Sequence, residues 1–324
     1  MQIPKNKPLV LATTPHIFSG VSTRKLMLNV IIALLPTLFA AVYIFGIRAF
    51  FVIAVTTIAC VLFEFAWCRL RHIPQTVGDL SAIVTGLLLA CNLPASIPYY
   101  MAIIGAFVAI IVVKELFGGI GKNFANPAVV ARIVLAVSFT AAMSTFPLPE
   151  RTLFGVDTVD AIASATPLAP GAPAPSLIDL MFGAHTGVLG ETCGVAILLG
   201  FIWLLVTKTI TPTIPVIYVG TVALIALLTG HDVLPQIFSG GLLLGAIFMA
   251  TDYVSSPTTF KGQVLFALGL GIITCTIRYY GNMNEGVAFS ILLMNLLVPF
   301  IDSATANTPL GATKKRRFSR KGGE

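Results

Sequence analysis

Long apolar runs, separated by short clusters of polar residues, glycine and proline, make up most of this 324-residue chain. A helix that crosses a bilayer needs about 20 mostly apolar residues, and scanning for such runs predicts roughly ten spans. They fall at residues 26–45, 49–67, 80–93, 99–116, 127–146, 188–207, 214–229, 238–250, 264–277 and 287–301. The third, eighth, ninth and tenth are short for a full crossing. That pattern predicts tilted or broken helices, whose exposed backbone must face protein or a cavity.

The broken segments echo one another. Gly86-Leu87-Leu88-Leu89 recurs as Gly241-Leu242-Leu243-Leu244, each followed by a proline break at Pro94 or Pro257. From Pro94 to Gly118 is 24 residues, and from Pro257 to Gly281 is also 24. Five predicted spans separate the two, so the halves insert with opposite orientation, as in the inverted repeats of many transporter folds. The expected fold is therefore an all-α polytopic membrane protein of two inverted five-helix repeats. The expected divisions are a 1–25 amino-terminal segment, a first repeat over 26–146, a loop over 147–187, a second repeat over 188–302 and a basic tail over 303–324.

Composition agrees: 56% of the residues are hydrophobic and 10% charged, with a mean hydropathy of +0.94, where soluble domains carry about a quarter charged residues. Residues 1–8 are polar and the first long apolar run begins later, so it is expected to stay as an anchor. The net charge of +7 is a matter of topology. With the amino terminus cytoplasmic, Lys5, Lys7, Arg24, Lys25, Arg69, Arg71, Lys114, Lys122, Arg132, Lys208, Lys261 and the tail bases all fall inside, and Arg48, Arg151 and Arg278 outside. The tail, Lys314-Lys315-Arg316-Arg317 with Arg320 and Lys321, suits anionic lipid headgroups rather than nucleic acid. Both termini are then cytoplasmic and the 147–187 loop is extracytoplasmic.

Little conventional site chemistry is visible. Cys60, Cys68, Cys91, Cys193 and Cys275 lie scattered in apolar segments without paired spacing, and His16, His72, His185 and His231 are isolated, so no metal site is expected. Gly118-Gly119-Ile120-Gly121-Lys122-Asn123 lacks the spacing of a phosphate loop. Carboxylates in or beside the spans are Glu64, Asp79, Glu115, Glu191, Asp252 and Glu285. Most lie near predicted helix ends; Asp252 and Thr251, at a broken helix of the repeat, are the candidates for an ion path.

One stretch of the external loop is more specific. Asp160-Ala161-Ile162-Ala163-Ser164-Ala165-Thr166 resembles the D-x-x-[ST]-G-A-T pattern at which a flavin transferase attaches FMN through its phosphate to threonine. Ala163 stands where the pattern has Ser or Thr, and Ser164 where it has Gly. Thr305 and Thr313 also follow alanine, but only Thr166 has an aspartate six residues before it, and both rivals lie beyond the last span.

Further matches run through the chain: Thr14-Pro15-His16-Ile17, Asp79 to Gly86, Leu116 to Gly121, Phe124-Ala125-Asn126-Pro127-Ala128, Ala250-Thr251-Asp252, Ser255-Ser256-Pro257-Thr258, Gly286-Val287-Ala288-Phe289 and Leu292-Leu293-Met294-Asn295. Together they resemble the D subunit of Rnf complexes, a family that includes the B subunit of the sodium-pumping NADH:quinone reductase.

That resemblance implies a subunit of an ion-translocating electron-transport complex in the plasma (inner) membrane of a prokaryote, not catalytic alone. Electrons between reduced ferredoxin and NAD would be relayed through covalent FMN on Thr166, with Asp160, Ser164 and Ala165 as attachment motif. Partner subunits would carry iron–sulfur and flavin centres, with Na+ or H+ moved across the membrane. The family also admits a second, non-covalent flavin such as riboflavin, which nothing in the sequence locates. Two other readings stand beside it. One is a small-solute channel or permease of urea-transporter-like fold without a redox role; the other is a structural subunit that has lost its flavin.

Overall fold

The computed structural model describes residues 22–146, 176–183, 185–281 and 286–306, and every regular element among them is helical. The first, α1 (Thr23–Leu70), contains both of the first two predicted spans and is broken at Gly46, whose φ of 72° and ψ of −166° no helix contains. Straight, it would reach about 70 Å at 1.5 Å per residue. Yet Thr23 lines the same cavity as Ser81 and Lys114, and Glu64 meets Lys114 directly. Arg48, beside the break, bonds instead to the Ser96 carbonyl at 2.8 Å. The two arms therefore fold back on each other, with Gly46 at the turn. The glycine is required because an L side chain rarely adopts that backbone.

A 3₁₀ turn (Val77–Asp79) leads into α2 (Ser81–Cys91), an 11-residue helix entered through Leu80 in the left-handed region (φ 68°). Asp79 accepts from Ser81 N (2.8 Å) and Ser81 Oγ (2.5 Å), which fixes that entry. At the far end, the carbonyls of Cys91 and Leu93 accept from Gly190 N (2.7 Å) and Leu189 N (3.1 Å). Buried carbonyls must find donors, and here a distant non-helical segment supplies them.

α3 (Tyr99–Phe107) widens into a π-helical stretch (Val108–Glu115), closed by i to i+5 bonds from Leu116 N to Ile111 O and from Gly119 N to Lys114 O, both 3.0 Å. α4 (Pro127–Ser138) starts with Asn126 capping Ala128 N (3.0 Å) and proline in its first turn. It stops at Phe139, and α5 (Thr140–Ser144) follows, so the 127–146 run is two pieces. A short α6 (Leu177–Phe182) lies inside what the sequence pattern reads as loop.

α7 (Gly194–Val206) begins six residues later than the apolar run at 188, because residues 189 and 190 are engaged with the end of α2. α8 (Thr213–Thr229) and α9 (Val233–Phe238) precede α10 (Leu242–Leu244), entered through Gly241 at φ 69° and prolonged by a π-helical turn (Gly245–Met249). α11 (Phe260–Tyr280) and α12 (Val287–Thr305) complete the fold.

Three of these helices, α1, α11 and α12, are long and apolar enough to cross a membrane, and α2, α4, α7 and α8 are shorter and apolar. Their outer faces carry large bare side chains such as Phe39 (72% exposed), Leu228 (76%) and Phe300 (71%). Water tolerates such a surface poorly and lipid covers it; this is an all-helical membrane protein. Small residues let the inner helices approach closely. A Cβ on Gly86 would lie 2.7 Å from Thr57 Cα of α1, and one on Gly200 of α7 would collide with the Ala33 carbonyl.

Candidate functional site

The ends of α2 and of the α10 segment lie in shared surroundings, start of one with finish of the other. Ser81, at the start of α2, shares a cavity with Thr251 and Asp252, which follow the end of the π-helical turn. Gly241, at the start of α10, lies against Glu191, which is next to Gly190 on the end of α2. Each short helix thus presents its start to one end of the molecule and its finish to the other.

The cavity at the Ser81 end encloses about 360 Å³. Its apolar walls come from Met27, Val84, Leu88, Leu204, Ile247 and Phe248, and its polar positions from Thr23, Thr85, Lys114, Asn123, Asn126 and Asp252. Asn126 also donates to the Met249 carbonyl (3.3 Å), tying α4 to the end of the π-helical turn. With its amide turned to satisfy its neighbours, Asn295 of α12 donates to Ser255 O (3.0 Å) and accepts from Asn126 N (3.2 Å). Asn126, Ser255 and Asn295, far apart in sequence, belong to the stretches that carry the family resemblance.

In the wall of this cavity lies a buried ionic cluster. Lys114 Nζ contacts Glu64 Oε2 at 2.7 Å and donates to Ser81 Oγ at 2.6 Å. Thr76 Oγ1 donates to the other Glu64 oxygen at 2.5 Å. Glu64 is fully buried, and the side chains of Lys114 and Glu115 are each 4% exposed. The widened helix at 108–115 puts two successive charged residues into the interior. π-helical turns recur at functional sites for this kind of reason.

A second cluster marks the opposite end. Glu191 is buried, with Arg132 Nη2 3.9 Å from its Oε1. A Cβ on Gly241 would come within 2.7 Å of that same oxygen, so this glycine serves both the left-handed backbone and the carboxylate's space. Arg278, near the end of α11, donates to Gln236 O (2.7 Å), Gln236 Oε1 (3.0 Å), Ser239 O (3.1 Å) and Gly240 O (3.2 Å). It holds the chain that enters α10. His185 is buried nearby in sequence, its Nδ1 3.4 Å from Asp179 O, and desolvation pushes its pKa below the ordinary imidazole value, partly offset by that contact.

The residues predicted for the site divide into two groups. Asp160, Ser164, Ala165 and Thr166 lie outside the described residues, as does Glu285. Thr251 and Asp252 line the cavity. Both are also locally engaged: Thr251 Oγ1 donates to Ile247 O at 2.5 Å, and Asp252 accepts from Ser255 Oγ at 2.8 Å. Burial pushes the Asp252 carboxyl above the usual carboxylate range, and the Ser255 hydroxyl with the nearby backbone amides partly offsets it.

Glu64, Glu115 and Glu191, noted in or beside the spans, are interior groups, and Arg132, which the charge pattern assigns to the cytoplasmic side, is buried against Glu191. Their signal in the sequence was position: Lys114 and Arg132 both fall within predicted spans, where a charge is expensive and marks function or a partner.

The chain matches the model of the NQR2, RnfD, RnfE family over residues 10–311. It belongs to that family. Among curated relatives of the family, the chain is 43% identical over 316 residues to the D subunit of the Na(+)-translocating ferredoxin:NAD(+) oxidoreductase complex of Acetobacterium woodii, covering 95% of this chain and 97% of that one. It is 38% identical over 334 residues to the D subunit of the proton-translocating ferredoxin:NAD(+) oxidoreductase complex of Clostridium ljungdahlii, covering 97% and 99%. To the D subunit of the ion-translocating oxidoreductase complex of Stutzerimonas stutzeri it is 37% identical over 319 residues, covering 87% and 90%. Membership in the NQR2, RnfD, RnfE family therefore extends over nearly the full length of both partners in each comparison.

Proposed function

We propose that this chain is the membrane flavoprotein subunit of an Rnf-type ion-translocating oxidoreductase, relaying electrons between reduced ferredoxin and NAD through FMN esterified to Thr166. The observation that carries the reading is the full-length likeness to relatives that are the D subunits of such complexes. The Asp160 to Thr166 motif supports the attachment site: a threonine hydroxyl forms the phosphoester, and maturation needs a flavin transferase. Bound FMN supplies one- and two-electron chemistry, and the protein supplies tether and environment. The partner subunits carry the iron–sulfur and other flavin centres, and Na+ or H+ is the coupled ion; the relatives' names divide between the two. The chain sits in a prokaryotic plasma membrane with the Ser81 end and both termini cytoplasmic and Thr166 outside.

The halves are read as inverted repeats, on three supports. α2 and α10 are each entered through a left-handed residue, Leu80 (φ 68°) and Gly241 (φ 69°). Both halves contain π-helical turns. The helix after each short helix returns a cation to that helix's start, Lys114 to Ser81 and Arg278 to Ser239 and Gly240. The cavity at the Ser81 end is the place for a non-covalent flavin such as riboflavin. Its volume of about 360 Å³ lies within the ordinary range of ligand pockets. Phe248, Leu88 and Val84 offer faces for an aromatic ring, and Asn123, Asn126 and Thr85 offer partners for its rim.

The test is to denature the purified chain, made together with a flavin transferase, and to look for flavin fluorescence that stays with the protein on a gel. The expected result is a fluorescent wild-type band and a dark Thr166→Ala band. A dark wild-type band removes the flavin assignment and favours the permease of urea-transporter-like fold, which the inverted repeat would serve equally well.

A further inference from the structure

Glu115 is the carboxylate of the buried cluster that Lys114 covers least. Its Oε1 is buried and has no hydrogen-bond partner among the described residues, and it lies 4.0 Å from Lys114 Nζ. Its charged neighbours are Lys114, Glu64 and Asp79, from the π-helical turn, α1 and the 3₁₀ turn. The Cys60 thiol of α1 also faces Lys114 and Glu64.

One ammonium thus stands among three carboxylates, and it is spent on Glu64 and Ser81. Asp79 has Ser81 N and Oγ as donors, and Glu64 has Thr76 and Lys114. A buried, ionised carboxylate oxygen with no donor is costly, so the arrangement calls for one further positive charge at Glu115. Lys114 and Ser81 also line the cavity, which gives a small ion a way to reach the cluster.

We propose that Glu115, with Lys114 and Glu64, forms a binding site for a single monovalent cation, a proton or a sodium ion, entered from the cavity at the Ser81 end. Lys114 acts as the resident cation of Glu64, and the incoming ion takes the Glu115 carboxylate that the ammonium leaves at 4.0 Å. When Lys114 moves towards Glu115, it displaces that ion. The site deepens the ion-coupling part of the function proposed above and rests on it. Its failure is distinguishable, because fluorescence at Thr166 and cation uptake at Glu115 are read independently.

The test uses the purified full-length chain in detergent. One signal is the thermal midpoint in sodium chloride against choline chloride at equal ionic strength, since an ion that binds only the folded state raises it. The other is the infrared carbonyl stretch of a protonated carboxylic acid as pH is stepped. A sodium-specific rise that Glu115→Gln abolishes assigns sodium; a protonated-carboxyl band that Glu115→Gln removes assigns the proton. Lys114→Met, lacking the resident cation, is expected to shift the sodium response to lower concentration or to strengthen the band. Glu64→Gln, which frees the ammonium to close on Glu115, is expected to abolish either signal and carries the test should Glu115→Gln not fold. A wild-type chain with neither signal, or signals that persist in Glu115→Gln or Glu64→Gln, overturns the assignment.

Discussion

Ion pairs between α1 and the helices packed on it are where single side chains matter most in this molecule. Lys114 and Glu64 meet at 2.7 Å with almost no exposure, and removing one partner of a buried pair costs about 3–5 kcal/mol because the other is left charged and alone. Lys114→Met is expected to lower stability on that scale, and Lys114→Met combined with Glu64→Gln to recover most of it, as read from thermal midpoints in detergent. His185 gives a pH dependence of opposite origin. Its pKa is depressed by burial from 6.5, so the unfolded state binds the proton more readily. Stability should hold above about pH 6.5 and fall as pH drops below it. The protection factors of the Leu189 and Gly190 amides, which bond Leu93 and Cys91, should fall in that range once intrinsic exchange is corrected for pH, and His185→Phe should remove the effect.

At the scale of the element, close packing of short helices makes the clearest demand. Gly86 of α2 faces Thr57 of α1 so closely that a Cβ would lie 2.7 Å from the Thr57 Cα, a backbone atom that cannot step aside. Gly86→Leu is expected to cost at least about 1–3 kcal/mol, seen as a lower thermal midpoint and earlier proteolysis. Apolar run length made α2 and α10 legible as short and interrupted, and it separated the two arms of α1. The reversal at Gly46 was legible too, since two successive spans joined by residues 46–48 must run in opposite senses, and the structure puts the break there. Run length did not show the non-helical segment before α7: Val188, Leu189 and the residues around them are apolar enough to pass for helix, while their amides serve α2.

For the whole molecule, the pattern of runs and charges made the helical membrane class legible, while the interior ionic clusters stayed hidden. A one-dimensional count assigns Lys114 and Arg132 to the cytoplasmic side, since it does not see a π-helical turn carrying Lys114 inward or α4 carrying Arg132 towards Glu191. The shortness of α2 has an electrical consequence. Eleven residues at 1.5 Å each make a helix of about 16 Å, roughly half the 30 Å of a hydrocarbon core. Water in a cavity at its Ser81 end would carry part of a transmembrane voltage inward, so the voltage beside α2 is expected to fall over a shorter path than in the surrounding bilayer. A unit charge crossing there would exchange the full 2.3 kcal/mol or so per 100 mV over that shorter path, in a steeper field than lipid alone provides.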